Sequence, residues 1–202
     1  MFFLSIASIF SLTYAGITAL VSQYGYLAIL VLMLLEAAAF PVPSEVVLPA
    51  VGLLAAEGTL DPFITILAVI VGGIVGMGVD YYIAYFLGKD VVYKHLAVFH
   101  IRKERLDAFD SWFAKNGTFA VFIARLVPVV RALINFPAGF AQMPARKFFA
   151  YSIAGTLIWD VLLVAFGYYA LSISSFPLVI ASIFVFALAL YLIYRFAMKR
   201  MR

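Results

Sequence analysis

Of 202 residues, 66% are hydrophobic and only 12% charged, about half the ~25% charged share of a typical soluble domain, and the net charge is +4. Such a chain cannot cover its surface with polar groups, so a soluble globular domain is excluded and the chain belongs in a bilayer, with no nucleic-acid partner. There is no cysteine, which excludes disulfides and thiol chemistry.

The opening "MFFLSIASIF" has no Lys or Arg, whereas a secretory signal begins with a positive region. Residues 2–21 therefore read as a retained membrane helix. Residues 25–57 are different. Gly25–Leu35 gives eleven residues before Glu36, and "EAAAFPVPSE" then brings Pro41, Pro43 and Glu45. At 1.5 Å per residue such a half-segment covers roughly 15 Å, half of the ~30 Å hydrocarbon core. That length predicts a re-entrant hairpin that turns at the prolines, each of which lacks an N–H and disfavours helix in the residue before it. Residues 62–87 are long and apolar enough for a transmembrane helix.

Residues 89–116 are the one polar stretch. Leu106, Phe109 and Phe113 recur at helical spacing among Arg102, Lys103, Arg105, Asp107 and Asp110, which predicts an amphipathic linker in the interface. His95 and His100 have no Cys or acidic partners at ligand spacing, so no metal site and no cofactor are expected. Residues 117–141 repeat the earlier plan: a short apolar arm with Arg125, then Pro128, Arg131 and a turn candidate at Gly139. Two further transmembrane helices are predicted at 148–171 and 178–196.

Lys and Arg set the orientation. They cluster in the linker (Lys89, Lys94, Arg102, Lys103, Arg105, Lys115), at Arg146 and Lys147, and in the tail (Arg195, Lys199, Arg200, Arg202). All three regions are expected to be cytoplasmic, the C-terminus included. This closes without contradiction only if 117–141 enters and leaves on the same side. The expected fold is thus an all-α polytopic membrane protein over residues 1–202, with two re-entrant hairpins in inverted repeats and about four transmembrane helices.

The first hairpin carries Glu36 and Glu45, the second Arg125 and Arg131. Each intramembrane charge costs about 2.5–3.5 kcal/mol on insertion scales, so the four must pair or line a wet cavity. Buried ion pairs add little stability over apolar replacements, which makes function the better reason for having them. A lipid phosphate crossing the core needs a cation to replace its water, and the arginine fork matches phosphate. A nearby glutamate can compete for that arginine and take up a proton. Asp80 and Asp160, each mid-helix, are candidates for a supporting role or a proton path. A proteolytic dyad of these two is rejected because "GMGVD" does not have the spacing of an intramembrane aspartyl protease. A lipid phosphatase is rejected because both histidines lie in the linker.

Two motifs carry a family resemblance. E-x4-P-x-P-x-E is matched by Glu36, Pro41, Pro43 and Glu45, and R-x2-P-x2-R-x6-A-G-x3-M by Arg125, Pro128, Arg131, Ala138, Gly139 and Met143. With the helix between them, residues 25–170 resemble the DedA family, also called the VTT-domain or SNARE-associated family. The middle helix departs from the family pattern at Met77, where an acid is common, and at Ala84, where a glycine is common. The resemblance implies a membrane lipid translocase, a flippase or scramblase, and not an enzyme. It implies a polyprenyl phosphate or anionic phospholipid as substrate, a link to the proton motive force, and the plasma membrane of a prokaryote. Arg125 and Arg131 would bind the phosphate, and Glu36 and Glu45 would pair with them or carry protons. The rival reading is a proton- or cation-coupled transporter of a small soluble solute in the same cavity.

The topology has a direct consequence. Single cysteines introduced at positions 116 and 145 should both react with an impermeant thiol reagent from the cytoplasmic face; labelling from opposite faces contradicts the second hairpin.

Overall fold

The chain alternates short apolar helices, broken where Pro and polar residues interrupt them, with two helices of 26 residues that no proline divides. The computed structural model describes residues 15–88, 103–128 and 130–170, and everything regular in them is helical. Helix α1 is described over 15–24. It is followed by α2 (Tyr26–Ala37), α3 (Ser44–Ala56), α4 (Pro62–Leu87), α5 (Lys103–Arg125), α6 (Val130–Leu133), α7 (Asn135–Phe140) and α8 (Ala145–Ala170). The expectations for 2–14, for the first half of the linker and for the helix at 178–196 lie outside the described residues.

Helices α4 and α8 have the length and hydropathy of membrane spans. Twenty-six residues at 1.5 Å rise give about 39 Å, more than the ~30 Å core. Asp61 caps α4, its Oδ1 accepting from the Ile64 N–H at 2.9 Å, and Pro62 fills the first turn where no N–H is needed. The Asp61 N–H donates to the Tyr26 hydroxyl at 2.7 Å, which ties the loop after α3 to the start of α2.

Helix α2 stops in a Schellman motif. The Phe40 N–H reaches the Leu35 carbonyl at 3.0 Å, and the Ala39 N–H reaches Glu36 at 3.1 Å, with Ala39 at φ 56°. Pro41 and Pro43 then keep the chain extended until α3 begins at Ser44. The second break follows Arg125, and Pro128 lies within it. Gly139 is not a turn, as the sequence suggests. It lies inside α7, where a side chain would strike the Tyr81 carbonyl and the Ala84 methyl of α4. The glycine is there for close packing between helices.

Packing has a crossed pattern. The arm before the first break (α2) lies on α4, and the arm before the second break (the last part of α5) lies on α8. The arms after the breaks exchange partners: α3 lies on α8 and α7 on α4. Equivalent residues make the contacts. Gly72 faces the Leu30 carbonyl and Met33, and Gly155 faces the Phe122 carbonyl and Arg125. Gly52 faces Val164 and Tyr168, and Gly139 faces Tyr81 and Tyr85. Each arm is entered through a glycine of the same conformation, Gly25 at φ 58°, ψ −137° and Gly117 at φ 56°, ψ −139°. A positive φ there is strained for any other residue.

One core joins α2, α3, α4 and α8 through Ile29, Met33, Val47, Val51, Val69 and Leu163. A second gathers Met77, Tyr81, Val121, Ile134 and Phe148. Tyr81 stacks on Phe148 with centroids 4.3 Å apart and donates its hydroxyl to the Met143 carbonyl. The outer stripe of α4, from Phe63 through Leu67, Val71 and Val75 to Phe86, is exposed and apolar, as a lipid-facing surface must be.

The glycine contacts predict opposite signs for similar changes. Gly52→Leu or Gly139→Leu should each destabilise by at least about 1–3 kcal/mol through overpacking against backbone. Gly16→Ala, where a side chain meets nothing within 4 Å, should be neutral or slightly stabilising through helix propensity. Thermal unfolding in detergent measures both.

A buried charge cluster between the two helix breaks

Glu36 ends α2 and Arg131 lies on the short helix after the second break, so the two breaks bring acid and base together. Arg131 Nε lies 3.1 Å from Glu36 Oε1, and Nη2 donates to Oε2 at 3.4 Å. The same Nη2 meets Asp160 Oδ1 of α8 at 3.1 Å. The guanidinium carbon sits 5.6 Å from the centre of the Trp159 ring. One cation thus ties α2, α6 and α8. All three charged residues are buried, at 5%, 3% and 1% exposure for Glu36, Arg131 and Asp160.

Arg125 forms a second centre. Its Nη2 donates to Asn135 Oδ1 at 2.5 Å and to Ser152 Oγ at 3.2 Å. The Asn135 amide donates in turn to Asp80 Oδ2 at 3.3 Å and to the Ala37 carbonyl at 2.9 Å. That last bond has a plain cause. The closing turn takes the Leu35 and Glu36 carbonyls and leaves that of Ala37 without a backbone partner. Asn135 of α7 thus caps the end of α2. Phe148 closes the site from beneath, 5.9 Å from the Arg125 guanidinium carbon.

The acids and arginines predicted to meet do so in part. Glu36 pairs with Arg131. Arg125 takes neither glutamate, and its partners are amide and hydroxyl. Asp80 and Asp160 divide between the two centres. Glu45 stands in the first turn of α3, half-buried, and lines a cavity of about 380 Å³ with Glu36, Arg131 and the extended segment 39–43. Pro41 and Pro43 line the same cavity, so the break that ends α2 also opens the space beside the charges.

Sequence reasoning missed Asn135, Ser152 and Thr156. Asn135 is fully buried in "ALINFPAG", and a lone amide in an apolar half-helix is itself a signal. Ser152, Thr156 and Asp160 recur every four residues, the spacing of one helix face. Among the described residues no group of three His, Cys, Asp or Glu side chains converges to hold a metal ion.

Described residues whose regular structure is all helical, with two span-length apolar helices among them and a buried cluster of arginines and acids, mark a helical membrane protein built around a polar interior site. The family model described as the VTT domain matches residues 42–169. The chain belongs to the VTT-domain family, the DedA family of the sequence resemblance. It is 34% identical to undecaprenyl phosphate transporter A of Staphylococcus aureus over 75% of this chain and 76% of that protein. It is also 34% identical to undecaprenyl phosphate transporter A of Bacillus subtilis over 72% of each. An alkaline phosphatase-like protein of Lactococcus lactis is 30% identical over 72% of this chain and 71% of its own length. No solved structure gives a significant match.

The fork at Arg131 predicts strong coupling. Arg131→Met strands Glu36 and Asp160 and should cost about 3–5 kcal/mol. Adding Glu36→Gln should recover part of that loss, giving a double change smaller than the sum. Unfolding of the four proteins of the cycle in detergent measures it; strict additivity contradicts the pairing.

Proposed function

We propose that this protein moves a lipid phosphate, a polyprenyl phosphate or an anionic phospholipid, between bilayer leaflets, and that Arg131 is its phosphate ligand. The observation that carries the reading is the cavity at the first break. It is walled by Arg131, Glu36 and Glu45 in an otherwise apolar setting. Arg131 Nη1 is buried without a hydrogen-bond partner, and it becomes a donor for a phosphate oxygen once the Glu36 carboxylate gives way. The relatives named as undecaprenyl phosphate transporters support the substrate class. Arg125, which does not line the cavity, is a positioning residue in this reading and orders the second hairpin around Asn135.

The architecture we propose with it is a pair of inverted repeats, 25–87 and 117–170, each a re-entrant hairpin followed by a spanning helix. The matched glycine conformations and the exchanged arm contacts support this. Inverted repeats of this kind carry substrate sites near the bilayer midplane, where broken helices meet. The cytoplasmic face would carry the linker, Arg146 and Lys147.

Electrostatics favours proton coupling. Glu36, Glu45, Asp80 and Asp160 face only Arg125 and Arg131 across the two centres, so acidic charge is already in excess. A lipid phosphate adds more. In a low-dielectric interior it binds far better if an acid takes up a proton as it arrives. Glu36 and Glu45, which share the cavity with Arg131, are the groups we assign to that role. Bond-making chemistry is not part of this function.

Reconstitution tests it. In liposomes with a fluorescent polyprenyl phosphate, the protein should move label between leaflets, faster with a pH gradient. Arg131→Gln in a protein that still folds should abolish the movement. Equal rates for a neutral polyprenol contradict the phosphate site. Transport of a soluble anion into the vesicles, with no movement of lipid, favours the solute transporter instead.

A further inference from the structure

Helix α8 carries Ser152, Thr156 and Asp160 on one face, at 0%, 4% and 1% exposure. Each four-residue step advances about 6 Å along the axis. The two ends are engaged. Ser152 Oγ accepts from Arg125 Nη2 at 3.2 Å, and Asp160 Oδ1 from Arg131 Nη2 at 3.1 Å. Thr156 stands between the two arginine centres, its methyl turned towards Gly73 of α4.

The Thr156 hydroxyl has no hydrogen-bond partner in the protein. A threonine within a helix ordinarily returns its hydroxyl to the carbonyl four residues back, and this one does not. Asp160 Oδ2, Arg131 Nη1 and Arg125 Nε are buried and unpartnered as well. Unpartnered donors and acceptors therefore remain at both arginine centres and at Thr156. Stability does not account for Thr156, because valine has the same shape without a buried hydroxyl to satisfy. Unsatisfied buried polar groups of this kind are ordinarily bridged by internal water.

We propose that Asp160, Thr156 and Ser152 form a proton link between the two arginine centres, with water bridging the hydroxyls. The link rests on the proton-coupled lipid reading above and deepens it. Asp160 first takes a proton from Glu36, which shares Arg131 with it, and then releases one to a bridging water. The Thr156 hydroxyl accepts one proton and releases its own towards Ser152. The transfer ends, through water, on the Asp80 carboxylate, which Asn135 holds beside the Arg125 centre. One proton has left Glu36 and one has arrived at Asp80; Asp160 and the hydroxyls end as they began, and both guanidinium groups stay charged. The charged groups around the seam are Glu36 from α2, Asp80 from α4, Arg125 from α5 and Arg131 from α6. Glu45 of α3 acts on the first centre, and Asn135 of α7 is neutral.

The test uses Thr156→Val and Thr156→Ser in liposomes holding a labelled polyprenyl phosphate and an internal pH dye. The link predicts that Thr156→Val unfolds no earlier than the wild type and keeps its gradient-free lipid movement. It predicts that the variant loses both proton uptake and acceleration by a pH gradient, and that Thr156→Ser restores both. A valine variant with wild-type proton uptake and acceleration overturns the link. So does one that unfolds early and loses gradient-free movement too, since that marks a structural threonine. A wild type that takes up no protons also overturns it. Proton uptake that depends on Thr156, in a protein that moves no lipid, supports the link and defeats the lipid reading instead.

Discussion

The structure depends on one cation held in the wrong solvent. Arg131 sits among apolar helices at a cost of about 2.5–3.5 kcal/mol on insertion scales. It is tolerated because Glu36 and Asp160 clasp it from two other elements. Glu36 stands one residue before the end of α2, and Arg131 on the short helix after the second break. A helix that stops in a protein interior leaves carbonyls that need other partners. Asn135 answers that need by donating to the Ala37 carbonyl while it accepts from Arg125. The breaks, the charges and the amide form one interdependent arrangement, and none of the three is tenable alone.

Close packing holds the arrangement in place. Lipid tails are as apolar as leucine, so helices in a membrane gain little from hiding apolar surface from one another. Contact between backbones supplies the difference. Glycines at 52, 72, 76, 139, 155 and 167 bring helices near enough that a side chain would strike a neighbour's backbone. The contacts of Gly72 and Gly155, and those of Gly52 and Gly139, match across the two halves. One packing solution therefore serves both pairs of broken arms, yet the chemistry differs. Met33 in the first half stands where Arg125 stands in the second. A shared scaffold carries a polar centre on one side and an apolar core on the other.

Much of the fold was legible in the sequence because the physics there is local. The two span-length helices and the proline breaks need only a few consecutive residues. The meeting of acids with arginines was legible from the cost of leaving them apart, but not which acid meets which arginine. Glu36 finds Arg131, while Arg125 turns to Asn135 and Ser152, because the arms exchange long helices. That exchange is a property of packing, and no short window records it. Gly139 looked like a turn for the same reason. Glycine serves turns and close contacts alike, and only the neighbouring helix tells them apart. Thr156 was invisible until its lack of a partner was seen.

The central claim is that Arg131 meets the phosphate of a membrane lipid. Solid-state NMR on the protein in bilayers containing a polyprenyl phosphate measures this directly, through dipolar coupling between the lipid phosphorus and arginine nitrogens. Assignment follows from comparing the wild type with Arg131→Lys. A coupling at hydrogen-bond range, about 3–4 Å between phosphorus and nitrogen, that disappears in the lysine variant is the predicted result. Coupling that survives Arg131→Lys, or that arises only at Arg146 on the exposed rim, contradicts the account.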